Sequence, residues 1–360
     1  MSLSDRVVRA LSTVDDPDLK RDLVSLGMVS NALVEGDLVS VKVTLTTPAC
    51  PLREKIRQDC LDALQREFGD GYRFQIVMDA NVTSTRSMEN VLTGVKNVIA
   101  VASGKGGVGK STVAVNLALA LKACGSSVGI LDADIYGPSV HIMLNAREEK
   151  PLMTTIDGKN YMLPVERYGL KMISIGMLID EKQAVVWRGP MASSALRQFI
   201  TDCYWGELDY LIVDMPPGTG DIHMTLVQTA PVTGAVIVTT PQDVALAAAK
   251  KGIGLFRLQQ VNVPILGVVE NMAYFTPAEL PNNKYFIFGK GGGEKLAAEY
   301  DTNFLGQVPL VQSIREGGDA GVPAMLDDNP VSTKAFDDIA ANVARAVAVR
   351  NANFAQAVTA

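Results

Sequence analysis

From Val98 onward the chain carries seven short runs of nearly uninterrupted apolar residues, "VIAVAS", "VGILDAD", "LKMISIGM", "YLIVDMP", "AVIVTTP", "PILGVVEN" and "FLGQVPL", with helix-period segments between them. A strand that is apolar along its whole length has to be covered on both faces, and strands separated by helices run parallel. The pattern predicts an α/β fold over residues 97–350, a doubly wound and mostly parallel sheet. Ligands of such a sheet bind outside the carboxyl ends of its strands.

The first of these runs leads into "SGKGGVGKST". Gly104, Gly109, Lys110 and Ser111 satisfy GxxxxGK[ST], and "STVAVNLALALKA" follows as a helix, which is the strand-loop-helix context the motif requires. Gly104, Gly106, Gly107 and Gly109 let the backbone curl, so that N–H groups from Lys105 and Val108 through Thr112 face phosphates at a helix N-terminus. Lys110 is expected at the β and γ phosphates of ATP and Ser111 at Mg2+. A second glycine-rich stretch, "GKGGGEK" at Gly289 to Lys295, lacks GK followed by Ser or Thr and reads as a turn.

Two groups of carboxylates complete the expected site. Asp214 ends the strand in "YLIVDMPPGTGD", where a loop of this kind needs an acid to orient Mg2+. Pro216, Pro217, Gly218 and Gly220 then exclude helix and strand, leaving a shaped loop beside the phosphates. In "ILDADIYGPS" the i, i+2 spacing points Asp132 and Asp134 the same way, so that Asp132 supports Mg2+ and Asp134 positions or activates the attacking water. Two acids capping a turn is the competing reading.

"KGGVGKST", "LDADIYGPS", "VDMPPGTGD" and "VVENM" together resemble the deviant Walker A ATPases, which include MinD, ParA, the nitrogenase iron protein and the Mrp/ApbC iron-sulfur carriers. "DADIYGPS", "WRGPM" and "PPGTGD" point to the Mrp/ApbC branch, and the N-terminal unit with "TTPACP" resembles the small iron-sulfur assembly domain that precedes the ATPase there. The resemblance implies a slow, dimer-dependent ATPase with ATP and Mg2+ as cofactors, a [4Fe-4S] cluster as cargo and apo iron-sulfur proteins as clients. It also implies that Lys105 reaches across a homodimer to the partner's nucleotide. Negative charge builds on the transferring phosphoryl group, so a second cation there makes dimerisation a condition of turnover. By the same resemblance Asn271 reads the adenine edge and the backbone at Pro309 passes beside the base.

One departure stands out. Such carriers usually hold their cluster through a CxxC pair after the "ENM" strand, whereas this chain has Pro277 and Leu280 at the aligned positions. Neither ligates iron. Three readings stay open: other thiols hold a cluster, with Cys50 the first candidate at an expected helix start and Cys203 a weaker one; the protein drives assembly without holding the cluster; or it serves another client. Cys60 and Cys124 lie within helical runs and read as core.

The first 80 residues read as an α+β unit: a helix from Ser4, a hairpin of "MVSNALV" and "LVSVKVTLTT", a helix from Pro51 and a strand "YRFQIVM". Residues 81–96, rich in Ser, Thr and Asn, read as a linker, and 351–360 as a C-terminal tail. A net charge of −6 argues against nucleic-acid binding, and the lack of an apolar run or secretory signal argues for a cytoplasmic protein off the membrane. His141 and His223 are expected to be hydrogen-bonded structural residues, and Trp187 and Arg188 to face an interface. The rivals are a MinD or ParA type positioning ATPase, disfavoured by only two arginines in "FDDIAANVARAVAVRNANFAQAVTA", and a nucleotide-gated scaffold.

Overall fold

A computed structural model describes residues 2–85, 91–179, 187–277, 279–280, 282–327 and 329–359. The chain forms two compact units, residues 1–85 with 347–360, and residues 86–346.

In the smaller unit, helix α1 (Leu3–Leu11) starts with a capping box, in which the Ser2 hydroxyl accepts from the Asp5 amide and the Asp5 carboxylate accepts from the Ser2 amide. Strands β1 (Val29–Glu35) and β2 (Leu38–Leu45) form an antiparallel hairpin whose turn places Gly36 at φ +61°. Helix α2 (Arg53–Phe68) crosses over to β3 (Arg73–Ala80), parallel to β2. Alternation sends Val39, Val41, Val43 and Leu45 inward, where they share a core with Ile56, Cys60, Ala63 and Leu64 of α2.

The larger unit is built on an eight-stranded sheet. Its strands are β4 (Val95–Ala102), β5 (Val128–Asp132), β6 (Val165–Arg167), β7 (Leu170–Ser174), β8 (Leu208–Asp214), β9 (Gly234–Thr239), β10 (Ile265–Glu270) and β11 (Phe304–Gln307). Their order is β6-β7-β5-β8-β4-β9-β10-β11, and every pairing is parallel except β6 with β7. All seven apolar runs are the parallel strands. The chain moves outward from β4 through β5 to β7, returns to β8 and crosses to β9, so the crevice at the carboxyl end of β4 is the topological switch point.

Helices α3 (Lys110–Ala123), α4 (Gly189–Thr201), α5 (Asp221–Thr229), α6 (Asp243–Arg257) and α7 (Gly292–Glu299) connect the strands. Strands β5, β8 and β9 are buried at nearly every position, and α3 is buried continuously from Val113 to Leu121, which is why neither shows an amphipathic pattern. β4 begins at Val95, inside the stretch expected to be a linker; of that stretch, residues 86–90 lie outside the described residues. Helix α8 (Pro330–Thr359) runs through the expected tail. Residues 330–346 of this helix belong to the larger unit and 347–359 to the smaller, where the Asn351 side chain donates to the Thr83 carbonyl at 2.9 Å.

Candidate functional site

The loop between β4 and α3 turns on glycines at 107 and 109, with φ +81° and +79°. Gly109 is the N-cap of α3 and no side chain caps that end, leaving its first amides to a ligand. Gly104 lies against the backbone of α6, and a β-carbon there would collide with the Ala248 carbonyl and the Ala249 amide nitrogen. The Ser103 hydroxyl donates to the Lys105 carbonyl at 3.1 Å, while the Lys105 side chain is exposed.

Beneath the loop Lys110 is buried. Its ammonium lies 2.6 Å from Asp214 Oδ1, 3.1 Å from Ser111 Oγ and 3.7 Å from Asp134 Oδ2. Asp214 is fully buried and its Oδ2 has no hydrogen-bond partner among the described residues, so one oxygen of this acid remains to be satisfied. Burial raises the Asp134 carboxyl above the usual range, with the Lys110 ammonium opposing. The loop after β8 is tied to the phosphate loop, since Gly218 donates its amide to the Ser103 carbonyl at 2.8 Å and Met215 donates to Val101 at 3.0 Å. Between the Asp134 turn and this loop opens a cavity of about 610 Å³ lined by Asp134, Tyr136, Pro216, Pro217, Asp221 and Ile222.

Mg2+ takes one or two carboxylates, a hydroxyl and phosphate oxygens. Ser111 Oγ and the unsatisfied Asp214 Oδ2 supply that donor set.

Asp132 is engaged in hydrogen bonds of its own. β5 ends at Asp132, so Asp134 sits in the following turn and strand alternation no longer relates the two. Asp132 Oδ1 accepts from the Asp134 amide at 3.2 Å, and Oδ2 accepts from the amides of Ser139 and Val140 and from the Ser174 hydroxyl at 3.1, 3.2 and 2.8 Å. These bonds fasten the turn that carries Asp134. Complete burial, with the charge of Asp214 adding to it, pushes the Asp132 carboxyl up to about 7.

Asn271 already bonds to the phosphate loop. Its backbone continues from β10, its side chain is 5 % exposed, and its Nδ2 donates to the Val108 carbonyl inside the phosphate loop at 2.8 Å. Pro309 is buried beside this segment, where Val308 and Leu310 donate to the carbonyls of Glu270 and Tyr274.

With the geometry in place, comparison with known proteins decides the family. The profile of the NUBPL iron-transfer P-loop NTPases matches residues 94–344. The chain belongs to that family. A second profile, described as an iron-sulfur cluster assembly protein, matches residues 4–69. An iron-sulfur cluster carrier protein from Synechocystis sp. is 47 % identical over 97 % of this chain and 99 % of its own. Another of that name, from Deinococcus radiodurans, is 50 % identical over 97 % of each. Among solved structures, a nucleotide-binding protein in complex with ADP from Archaeoglobus fulgidus is 36 % identical, covering 68 % of this chain and 93 % of its own with a TM-score of 0.57.

In this iron-transfer P-loop NTPase no group of three or more His, Cys, Asp or Glu residues with metal-binding geometry occurs among the described residues. Burial pushes the thiols of Cys60 and Cys203 up to about 12 and raises that of Cys124, which is half-buried and not deep in the core. Cys50 packs at the edge of the small unit's core, and α2 begins three residues later at Arg53 with Leu52 as its cap, so Cys50 is not at a helix start. No described helix is long and apolar enough to cross a membrane.

His141 is buried 3.3 Å from the Ser174 hydroxyl, as a structural histidine should be. His223 departs from that expectation: both ring nitrogens are buried with no hydrogen-bond partner among the described residues. Arg188 is the N-cap of α4; the apolar residues Val185 and Val186 before Trp187 lie outside the described residues.

Sequence reasoning missed Ser174 and Glu270. Glu270 is fully buried, accepting from the Gly293 amide at 2.6 Å and from Gln307 Nε2 at 2.9 Å. Thus "GKGGGEK" is not merely a turn. It contains the N-terminus of α7, whose amide binds an internal carboxylate, and an acid ending an apolar strand was the available signal.

Proposed function

We propose that this P-loop NTPase hydrolyses ATP as a homodimer and couples that cycle to carrying or assembling iron-sulfur clusters for apo client proteins in the cytoplasm. The observation that carries the reading is the buried Lys110 ammonium held between Asp214 and Asp134 under a phosphate loop. Around it lies a chain matching iron-sulfur carrier proteins over nearly its whole length.

Gly104 to Thr112 would wrap the phosphates, and Lys110 would exchange its carboxylate partners for the β and γ phosphate oxygens. That exchange frees Asp214 to join Ser111 as the holder of Mg2+, which when bound offsets phosphate charge. Asp134, on the turn fastened by Asp132, would orient the attacking water. Lys105, exposed at the loop's outer surface, would stabilise the transferring phosphoryl group of the partner subunit. The backbone at Pro309 would flank the base.

The cargo's ligands are a separate question. Pro277 and Leu280 offer no thiol, and Cys60 and Cys203 are too buried and too basic to supply a thiolate. Of the two half-buried thiols Cys50 is the first candidate, because burial raises that of Cys124.

The test is ATPase rate per subunit against protein concentration in wild type, Lys105→Ala and Lys110→Ala. Wild-type turnover should rise steeply with concentration. K105A should bind nucleotide normally without turning it over, and K110A should lose both. Equal rates in wild type and K105A, or a rate independent of concentration, would refute the dimeric mechanism.

A further inference from the structure

His223 is the third residue of α5, just beyond the loop that follows Asp214, and the nucleotide site described above makes no use of it. It is 1 % exposed and packs edge to face against Phe256 of α6, with ring centroids 6.3 Å apart. Neither ring nitrogen has a hydrogen-bond partner among the described residues. A neutral imidazole carries one donor and one acceptor, and leaving them buried and unpaired destabilises the state that does so. A position that needed only packing would be filled more stably by an apolar ring. Burial disfavours a charge on the imidazole while the Gly220 carbonyl favours one, so that oxygen stands close to the ring without bonding to it.

The loop between β8 and α5 contains the means for the two to meet. Its start follows Asp214 and is fastened to the phosphate loop and the strand before it, the Met215 amide donating to the Val101 carbonyl at 3.0 Å and the Gly218 amide to the Ser103 carbonyl at 2.8 Å. A shift of the phosphate loop is therefore passed to Gly218. The far end is Gly220, the N-cap of α5, whose carbonyl accepts from the His223 amide at 3.1 Å. Gly218 requires glycine for its φ of +93°. Gly220 has no such requirement, because its φ is −89° and nothing lies within 4 Å of an added β-carbon. A glycine demanded by neither space nor conformation contributes its freedom to turn, and hinges sit at the ends of elements.

We propose that His223 is a positioning residue for ATP turnover: as the loop closes on ATP, turning at Gly220 brings the Gly220 carbonyl onto a ring N–H, and this hydrogen bond, which the free protein lacks, holds the loop closed. The inference rests on the nucleotide-binding reading above and deepens it. A carbonyl has two lone pairs, so Gly220 can accept from the ring while keeping the His223 amide. A group paired in one position of the loop and unpaired in the other biases the equilibrium toward the first.

The experiment reads the ring directly. The chain has two histidines, so isotope-labelled rings give two imidazole signals, and His223→Gln identifies the one that disappears. Spectra of the full chain are taken free, with Mg-ADP and with a Mg-bound non-hydrolysable ATP analogue, and calorimetry on the same samples measures binding. The His223 N–H should move downfield with the analogue alone. Analogue bound without that shift would overturn the proposal, whereas an analogue that wild type does not bind would sink the nucleotide reading itself.

Turnover supplies the second readout. His223→Phe should lower kcat about tenfold, the worth of one buried hydrogen bond. It should leave ADP affinity unchanged and raise the unfolding temperature of the nucleotide-free protein, because the unpaired nitrogens are gone. His223→Gln, whose amide still donates, should recover turnover. Wild-type kcat in H223F, or both variants slowed and destabilised alike, would mark a residue that only packs and refute the assignment. Gly220→Ala enters the free conformation without a clash and should also slow turnover at unchanged stability. Wild-type turnover in G220A would overturn the hinge on which the proposal depends.

Discussion

Replacing Gly104 by alanine should disable the phosphate loop through a backbone clash that the same change at Gly106 does not make. Neither glycine has a positive φ, so backbone preference does not separate them and space alone decides. At Gly106 the nearest atom to an added β-carbon is Pro217 Cγ at 3.9 Å, an ordinary contact. At Gly104 the obstacles are the carbonyl carbon and oxygen of Ala248 and the amide nitrogen of Ala249, all of them backbone atoms of α6. No rotamer change can relieve such a clash. Either the loop or the helix has to retreat, and α6 is packed through Ala249, Ile253 and Phe256 into the main core. Overpacking of this kind costs about 1–3 kcal/mol of stability. Because the loop is the freer partner, it shifts by ~1 Å, and misplacement on that scale costs on the order of 100-fold at a preorganised site. Titration calorimetry with ADP, paired with thermal unfolding, reads both quantities. If G104A binds ADP as well as G106A does, the steric reasoning about the loop's seat on α6 is wrong.

Two further outcomes follow from the side chains around the site. Burial holds the His223 imidazole at about 4, below its ordinary 6.5. The unfolded chain therefore protonates first as pH falls, and stability declines between pH 6.5 and 4 by about 3 kcal/mol in all. Urea unfolding should show that decline in wild type and a flatter profile in His223→Phe; identical profiles would place the titration elsewhere. Anaerobic reconstitution with iron and sulfide should give cluster absorption in wild type that Cys50→Ala lacks, and an unchanged spectrum in the variant would remove Cys50 as a ligand.

The sheet could be read from the sequence because burial on two faces leaves an unmistakable trace. Each apolar run between Val98 and Leu310 became a parallel strand, and the phosphate loop declared itself through residue types that few other structures require. What stayed hidden depended on where a strand stops. The i, i+2 spacing of Asp132 and Asp134 suggested shared direction, but β5 ends at the first of them, and the turn that follows sends one acid into a hydrogen-bond cluster and the other toward Lys110. Asn271 was assigned to the adenine edge by family resemblance alone, since its place after a strand fits a cap or turn residue equally well. Only coordinates reveal that its amide is already committed to Val108. Ser174 and the partner of Glu270 were hidden for a related reason. Ser174 bonds to Asp132 42 residues away and Glu270 to the Gly293 amide 23 residues away, and no local pattern encodes such pairings.

The distribution of α8 between the two units bears on how the molecule is made. A ribosome releases residues 1–85 early, yet Thr83 and Thr85 find their partners on Asn351 and Arg350, which emerge only after the entire NTPase sheet has been synthesised. The small unit is therefore completed only after the larger one has been translated, although most of it is made before. A fragment cut after Thr85 would lack the strap that closes it.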